Sequence, residues 1–433
     1  MRPTVVKGHT VRISPPSFVV LSILVKLAIS LALQVFISRE LLPEGRGIYA
    51  VCIASSTFLL VVTFFGNEFG IRHLLVQKKI TPSQAVLYLC VVSFFSFIAA
   101  LLIAFGLYVF HFWIFERITL LQSLLALILV FSQLISTQIN VFLTIQRKYM
   151  AASLVGIGEE FAKLLVLLIL FMQIPSVETA LVATSIGSIL TSVFCVVRFR
   201  FLVKDFSGVH LKEVRYILIY GLQSVWLNLS NLSNAQLGTL ILSGLMSNER
   251  VGLYNLAFGL VARVQVLPDA LNRVLVPASI GSDDETRAKM VRLSATALLL
   301  FCFAIVPLLG LWNEQIMSYA FGVEYAEAGP VAFVLFLGFM FKVICKPIEA
   351  YFNEITGNPM IIAVSQIFSV AAMTVATFLG ATTGGLIGAS AGSAIALVLS
   401  AAILLVVYAR FTNQKLHKLL DFGALHERVR RSM

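Results

Sequence analysis

Ten charged side chains interrupt the long apolar stretches of this 433-residue sequence. The basic ones are Lys26, Lys163, Arg263, Arg273, Lys342 and Lys346, and the acidic ones are Glu159, Glu160, Asp269 and Glu349. A charge in the middle of a membrane-crossing helix costs about 2.5–3.5 kcal/mol on insertion scales, so each position is a functional hypothesis. Lys26, Arg263 and Lys342 have no evident partner nearby in the sequence. Cations of this kind favour the binding of a phosphorylated anion.

The other charged residues are spaced so that they can pair along a helix. The sets are Asp269 with Arg273, Lys346 with Glu349, and Glu159 and Glu160 with Lys163. Residues three or four apart lie on one helix face, which favours ion pairs. The set around Glu159 either pairs in this way or reaches the membrane interface by extending its side chains. Lys342 and Lys346 also share a face, so one helix presents two positive charges together.

Amide side chains are concentrated in two consecutive apolar stretches. They are Gln223, Asn228, Asn231, Asn234 and Gln236 in the first, and Asn255, Gln265 and Asn272 in the second. Helices this polar face a partner helix or a water-filled cavity rather than lipid. Amides donate and accept hydrogen bonds, which suits sugar hydroxyls, although hydrogen bonds between helices explain them equally well. We predict substrate contacts at Lys26, Arg263, Lys342, Lys346, Asn228 and Asn231, and ion coupling at Asp269 and Glu349.

The composition indicates the class of protein to which these charged and amide side chains belong. Hydrophobic residues make up 59% of the chain and charged residues only 12%, about half the share in a soluble domain. This excludes a soluble enzyme, a disordered protein and a secreted disulfide scaffold. The net charge of +11 is explained by basic residues beside membrane spans better than by a nucleic-acid partner. No P-loop, CxxC, HExxH or nucleophile motif is present, so we expect no enzyme, no metal and no cofactor.

Twelve apolar stretches of about 20 or more residues, the length that crosses the hydrocarbon core, occur along the chain. They lie near 17–38, 48–66, 83–110, 119–145, 151–172, 178–197, 216–246, 250–280, 291–312, 329–352, 358–379 and 385–409. Most Lys and Arg residues fall in alternate connections and in both termini; the remaining connections hold only Arg39, Arg46, Arg117 and Arg250. Because basic residues stay on the cytoplasmic side, we predict a multi-pass cytoplasmic (inner) membrane protein with both termini in the cytoplasm.

Similar patterns recur 205 residues apart. Glu44, Gly47 and Tyr49 match Glu249, Gly252 and Tyr254, and Leu181, Ser185, Gly187 and Ser188 match Leu386, Ser390, Gly392 and Ser393. A repeat of six spans enters the membrane from one face each time, which gives a parallel repeat about an axis along the membrane normal. We therefore predict an all-α polytopic fold of about 12 transmembrane helices in two pseudo-symmetric six-helix bundles around a central cavity. The predicted segments are an N-terminal bundle 1–197, a basic cytoplasmic linker 198–215, a C-terminal bundle 216–409 and a basic tail 410–433.

Four short motifs carry a family resemblance. They are Leu-Pro-Glu-Gly-Arg-Gly-Ile-Tyr-Ala at 42–50, Val-Gly-Leu-Tyr-Asn-Leu-Ala at 251–257 followed by Pro268 and Pro277, Phe-Gly-Val-Glu-Tyr-Ala at 321–326, and Gly-Asn-Pro at 357–359. Together they resemble the polysaccharide and O-antigen flippases of the multidrug/oligosaccharidyl-lipid/polysaccharide exporter superfamily. The chain departs from that family at Arg46, where an aromatic residue is frequent.

This resemblance implies that the protein moves a lipid-linked oligosaccharide across the inner membrane by alternating access. The expected partners are the lipid-linked glycan, membrane lipids, and the glycan polymerase and glycosyltransferase machinery. A multidrug extruder of the same superfamily is the alternative, but such a protein would expose unpaired carboxylates to cations, and deep acids are few here. A membrane-embedded glycan polymerase would need an outer loop with acid or base residues, and the outer connections are short.

The orientation is tested by labelling single cysteines in a cysteine-free background. We expect Glu324→Cys to react with an impermeant thiol reagent from outside the cell, and Lys204→Cys to react only after the inner face is exposed. Reaction of each residue from the opposite side would reverse the orientation and the direction of transport.

Overall fold

The chain folds into long helices, as its apolar stretches predict. The computed structural model describes residues 15–64, 67–76, 79–109, 118–146, 148–199, 210–232, 236–279, 283–352, 356 and 359–412. In this part of the chain the helices are α1 (Pro15–Phe64), α2 (Asn67–Val76), α3 (Pro82–Val109), α4 (Leu120–Ile145), α5 (Tyr149–Phe171), α6 (Val177–Phe199), α7 (Leu211–Leu232), α8 (Gly238–Leu245), α9 (Asn248–Ala262), α10 (Val266–Ser279), α11 (Asp284–Phe321), α12 (Ala328–Ala350) and α13 (Pro359–Phe411). Short 3₁₀ turns follow α9 at Arg263–Gln265 and α11 at Val323–Tyr325.

Eight helices in the described residues are long and apolar enough to cross a membrane. Two of them, Leu21–Phe64 and Met360–Phe411, contain 44 and 52 residues, about twice the length of one crossing. α1 breaks at Leu42, which has a φ of 56° and precedes Pro43, and α13 breaks at Gly384 and Gly385. Each therefore crosses twice. α5, which carries three charges, and the polar pair α7–α8 complete a twelve-helix arrangement, so the predicted fold class is confirmed.

Hydrogen bonds at matching places in the two halves show the pseudo-symmetry. The hydroxyl of Tyr49 in α1 lies 3.0 Å from Oγ1 of Thr184 in α6. The hydroxyl of Tyr254 in α9 lies 2.7 Å from Oγ of Ser393 in α13. The two tyrosines are one repeat apart in the sequence, and each joins the second helix of its half to the sixth. The division at 197 and 216 remains a prediction, because residues 200–209 lie outside the described part.

The two halves meet through backbone contact between α1 and α9. Gly47 lies directly against the carbonyl group of Asn248, and Gly252 lies against the carbonyl group of Pro43. A Cβ at either glycine would overlap the facing backbone, so glycine permits this approach. We call the end of the molecule formed by residues 43–47 and 248–252 the closed end.

Additional bonds join the halves at the closed end. The guanidinium of Arg39 donates to the carbonyl oxygens of Tyr319 at 2.7 Å and Ala320 at 3.1 Å, near the C-terminus of α11. A cation is favourable there because the last carbonyl groups of a helix are unsatisfied. The Tyr325 hydroxyl donates to the carbonyl oxygen of Ser38 at 2.9 Å. Segment 321–326, one of the four motifs that resemble the flippase family, thus contacts the end of the first membrane crossing, which is the part of α1 before Leu42.

Three of the four arginines expected in outer connections lie within helices. Arg39 and Arg46 belong to α1 and Arg250 belongs to α9, while Arg117 lies outside the described residues. The expectation was wrong for Arg46 in particular, which is 3% exposed. The chain turns at the single residue Leu42 rather than through a loop, so the helix resumes before Arg46.

The close contact predicts that replacing the hydrogen side chain of either glycine by a methyl group destabilises the protein. Gly47→Ala and Gly252→Ala should each force the α1 and α9 backbones apart, at a cost of about 1–3 kcal/mol for overpacking. The midpoint of thermal unfolding in detergent should fall for both variants. Gly158→Ala is the matched control, since a Cβ there meets nothing within 4 Å. Unchanged midpoints for Gly47→Ala and Gly252→Ala would contradict the contact.

Candidate functional site: a cationic cavity between the halves

A cavity of about 570 Å³ lies between the two halves, lined by residues of α1, α9, α10 and α12, of the 3₁₀ turn after α9, and by Gln236 just before α8. Its charged lining residues are Lys26, Arg46, Arg263, Asp269 and Lys342. Four of these are cations and one is an acid, so the lining residues in the described part carry a clear positive excess. Polar groups of Ser30, Gln34, Tyr49, Gln236, Asn255 and Gln265 share the cavity wall.

Helical spacing explains why α1 contributes so many polar groups. Lys26, Ser30 and Gln34 are each four residues apart, which places them on one face of the first crossing. All three line the cavity. Lys26 and Asp269 are exposed to it, whereas Lys342 and Arg46 are 8% and 3% exposed. The cavity is therefore accessible near Lys26 and ends beneath the closed end, next to Arg46.

Arg263 is fixed by both halves of the protein. Its Nη1 donates to the carbonyl oxygen of Gly259 at 2.7 Å, and its Nη2 donates to Oγ of Ser30 at 3.2 Å. The helix tightens to a 3₁₀ turn from Arg263 to Gln265, just before Pro268. Proline lacks an N–H and its ring clashes with the carbonyl four residues earlier, which disturbs the helix at this point. The sequence suggested no local partner for Arg263, and Ser30 lies 233 residues away.

The amino groups of Lys26 and Lys342 lack a hydrogen-bond or ion-pair partner among the described residues. Neither ammonium group makes a hydrogen bond or an ion pair with a described residue, and both line the cavity. Lys26 lies beside Gly156 of α5, which leaves room for its side chain. Lys342 projects from α12, whose inward face is otherwise apolar. Asp269 and Glu349 act on Lys342 electrostatically without forming an ion pair with it, so both lysines still have hydrogens to donate to a ligand.

Lys346 and Glu349 lie away from this cavity. Nζ of Lys346 is 2.8 Å from Oε2 of Glu349, and Nε2 of Gln366 donates to Oε1 of Glu349 at 3.4 Å. The pair predicted from the spacing is thus present, and neither residue lines the cavity. Substrate binding by Lys346 and ion coupling by Glu349 remain predictions that this geometry does not favour. Asp269 does line the cavity and also interacts with other residues of the protein.

Glu159 is the centre of a buried network rather than an interfacial side chain. It lies ten residues into α5 and is 2.8 Å from Nζ of Lys163. Oγ of Ser136 in α4 donates to it at 2.6 Å, and Oγ of Ser188 in α6 donates at 2.9 Å. Nζ of Lys163 is also 3.4 Å from Glu160. Of the two explanations left open by the sequence, pairing is the one observed, and it joins α4, α5 and α6.

Several predicted residues have side chains outside the described part of the structure. They are Asn228, Asn231 and Arg273. Of the other amides, Gln236, Asn255 and Gln265 line the cavity, and Nδ2 of Asn255 donates to Oγ1 of Thr239 at 3.1 Å. In the described ranges no group of three or more His, Cys, Asp or Glu residues could hold a metal ion.

Arg46 is the cavity residue that sequence reasoning missed. The sequence analysis places it in an outer connection because it lies between the apolar stretches 17–38 and 48–66. One feature of the sequence could have drawn attention to Arg46: it occupies a position where an aromatic residue is frequent in the family. In the structure Arg46 lines the cavity, and its guanidinium carbon lies 5.5 Å from the centre of the Tyr49 ring.

Comparison with known proteins agrees with this architecture. The family described as "Polysaccharide biosynthesis protein" matches residues 36–330. No curated protein matches the chain at the sequence level. Among solved structures, the lipid II flippase MurJ in an inward closed conformation is similar with a TM-score of 0.74 and 14% identity, covering 92% of this chain and 89% of that chain.

Two solved structures described as a multidrug resistance MATE family transporter share the same fold. A multidrug resistance MATE family transporter of the MOP superfamily in an inward-facing conformation has a TM-score of 0.66 and 16% identity, covering 90% of this chain and 98% of that chain. An outward-facing conformation of a MATE transporter of that superfamily has a TM-score of 0.58 and 18% identity, with 93% and 95% covered. The resemblance stated from the sequence motifs is confirmed: the chain belongs to the polysaccharide biosynthesis protein family and is a multi-pass membrane protein.

Proposed function

We propose that this protein moves a lipid-diphosphate-linked oligosaccharide from the cytoplasmic to the outer leaflet of the inner membrane. The observation that carries the proposal is the cavity between the halves, where Lys26, Arg263 and Lys342 meet without a matching number of acids. A diphosphate supplies the missing negative charge, and its oxygens accept several hydrogen bonds. The cavity amides suit the hydroxyl groups of the attached sugars.

The closed end supports an alternating-access mechanism. Arg39 and the glycine contacts of Gly47 and Gly252 join the halves at one end, while Lys26 and Asp269 are exposed at the other side of the cavity. With both termini in the cytoplasm, the accessible side faces the cytoplasm and receives the substrate there. Rocking of the halves would separate the closed end and expose the same cations to the outer side.

The membrane potential favours this direction. A head group with two negative charges gains about 2 × 2.3 kcal/mol per 100 mV when it moves outward across an inside-negative membrane. Release must follow, so the cations must bind the diphosphate more weakly once the closed end opens. Asp269 lines the cavity and is our candidate for coupling to a counter-moving proton or sodium ion, whereas Glu349 is not a lining residue.

Multidrug extrusion is less compatible with the cavity charge. A cationic drug needs exposed carboxylates or aromatic faces, and Asp269 is the one acid among the described lining residues. The four cations in the same wall would repel such a compound. The fold by itself fits both kinds of transporter, and the positive charge of the cavity supports the choice of a lipid-linked glycan.

Alanine substitution of the three cations tests the proposal. Lys26→Ala, Arg263→Ala and Lys342→Ala should reach the membrane at normal abundance, lower surface glycan at least about tenfold, and leave lipid-linked glycan on the cytoplasmic leaflet. Arg263→Lys should retain part of the activity, because lysine keeps the charge but loses the planar fork. Surface glycan and leaflet distribution of the lipid-linked intermediate are the measurements.

An exposed cation away from the cavity provides a matched control. Lys289→Met removes one positive charge from α11 and leaves every lining residue of the cavity unchanged. It should export glycan normally. Normal export by all three alanine variants at normal abundance would contradict the proposed function.

A further inference from the structure

The seventh span consists of two helices that are attached to different halves of the protein. α7 ends at Leu232 and α8 begins at Gly238. The sequence-based division at residue 216 assigns nearly all of both helices to the C-terminal half. The contacts of their described residues divide differently, because α8 is fixed to the C-terminal half and α7 to the N-terminal half.

α8 is fixed to the C-terminal half at its first turn. Gly238 lies directly against the ring of Tyr254 in α9, and a Cβ at this position would overlap the ring. Nδ2 of Asn255 in α9 donates to Oγ1 of Thr239 at 3.1 Å. The Tyr254 hydroxyl is in turn bonded to Ser393 of α13. These contacts join α8 to α9 and α13.

α7 is fixed to the N-terminal half near its start. The backbone N–H of His210, the residue before α7, donates to the hydroxyl of Tyr88 in α3 at 3.2 Å. Gly70 of α2 lies against the backbone of Ile217, so that a Cβ at Gly70 would be 3.0 Å from the Cα and the carbonyl oxygen of Ile217. Glycine permits this close approach of two helices. In the predicted orientation both contacts lie at the cytoplasmic ends of the second, third and seventh spans.

Buried apolar side chains extend the contact between α7 and the N-terminal half. Val214 and Ile217 of α7 are 6% and 0% exposed and pack in one cluster with side chains of α2, α3 and α4. The members from the N-terminal half are Ile71, Leu74, Ile80, Ala85, Tyr88, Leu89, Val92 and Val141.

The matching apolar cluster of the C-terminal half does not include α7. That cluster contains Tyr351, Phe352 and Tyr408, and no described side chain of α7 belongs to it. α7 also runs beside α13. Its buried apolar side chains, in the part of the helix where the structure describes them, nevertheless belong to the N-terminal half.

We propose that the boundary between the two moving bodies crosses the seventh span between α7 and α8. α7 moves with the N-terminal half and α8 moves with the C-terminal half, so the seventh span bends each time the cavity changes the side to which it opens. This inference rests on the alternating access of the proposed function and specifies which helices move together.

Bending costs less than separation of α7 from α2. If α7 moved with the C-terminal half, the Gly70–Ile217 contact would break and the cluster around Val214 would lose its packing. Lost packing of this kind is expensive, because buried side chains give up many van der Waals contacts at once. α7 and α8 are already separate helices, so a few backbone angles between them can absorb the movement.

Distances between spin labels at the cytoplasmic side test the proposal without any substrate. Lys79 after α2, Lys212 in α7 and Lys289 in α11 are exposed and report on the N-terminal half, α7 and the C-terminal half. Pairs of these residues are replaced by cysteine in a cysteine-free full-length protein, labelled with a nitroxide and measured by double electron–electron resonance. Each pair is measured with the closed end intact and with Gly47→Ala or Gly252→Ala, which force the closed end apart.

Opening of the closed end should leave one of the three distances nearly constant. The Lys79–Lys289 and Lys212–Lys289 distances should both change by at least about 5 Å, the rise of one helical turn. The Lys79–Lys212 distance should change by less than half of that. A constant Lys212–Lys289 distance with a changing Lys79–Lys212 distance would place α7 in the C-terminal half and overturn the proposal.

Cross-linking gives a second test that does not depend on the glycine variants. Leu74 of α2 and Val214 of α7 belong to one cluster, and a short, reducible bis-thiol linker joins cysteines at these positions. The linked protein should export glycan within about twofold of the unlinked protein, because α2 and α7 move together. Loss of export on linking, with recovery on reduction, would overturn the proposal.

A link across the closed end is the matched control. Arg39 of α1 donates to the carbonyl oxygen of Tyr319 in α11, and the same linker between cysteines at these two positions should lower export at least about tenfold until it is reduced. The spin-label distances separate this inference from the proposed function. The predicted distances in a protein that exports no glycan would support the bending of the seventh span and contradict the proposed function.

Discussion

Direct backbone contact between the two halves determines the shape of the site. Gly47 and Gly252 bring α1 and α9 together at the closed end, and the helices diverge from there to leave the cavity between them. In a membrane the hydrophobic effect does not hold helices together, so close packing of small residues provides much of the association. The same contact places Arg46 at the end of the cavity.

The internal repeat places equivalent glycine contacts in both halves. Glycines one repeat apart also fix the sixth helix of each half: Gly187 lies against the backbone of Lys163, and Gly392 lies against Ala376. The tyrosine bonds to Thr184 and Ser393 add to these contacts. The halves also meet away from the closed end, where Gly70 of α2 lies against the backbone of Ile217 in α7, so movement of the halves must rearrange contacts at both places or bend the seventh span between α7 and α8.

The charges divide into structural and accessible groups according to their partners. Glu159 with Lys163, and Glu349 with Lys346, satisfy each other inside one half. The cavity cations face the joint between the halves and lack protein acids in matching number. A ligand that neutralises them also contacts both halves, which couples binding to their relative movement. Anion recognition and conformational change are therefore linked by the same residues.

Periodicity and composition predicted the helices, their number and the repeat, because these depend on local apolar length and on residue type. Spacing also predicted the Lys346–Glu349 pair, which is a contact within one helix. The serine partners of Arg263 and Glu159 could not be predicted, since Ser30 and Ser136 come from other helices. Arg46 was misplaced because it lies between the apolar stretches 17–38 and 48–66, whereas the chain turns at Leu42 alone and Pro43 begins the next helical segment.

Transfer of substrate between leaflets tests the central claim most directly. Purified protein is reconstituted into liposomes that contain a fluorescent lipid-diphosphate oligosaccharide, and an impermeant quencher reports how much of it lies in the outer leaflet over time. The account predicts that the protein moves this lipid between leaflets much faster than protein-free liposomes do, and that the matching lipid monophosphate moves more slowly. Equal transfer with and without protein would contradict the account.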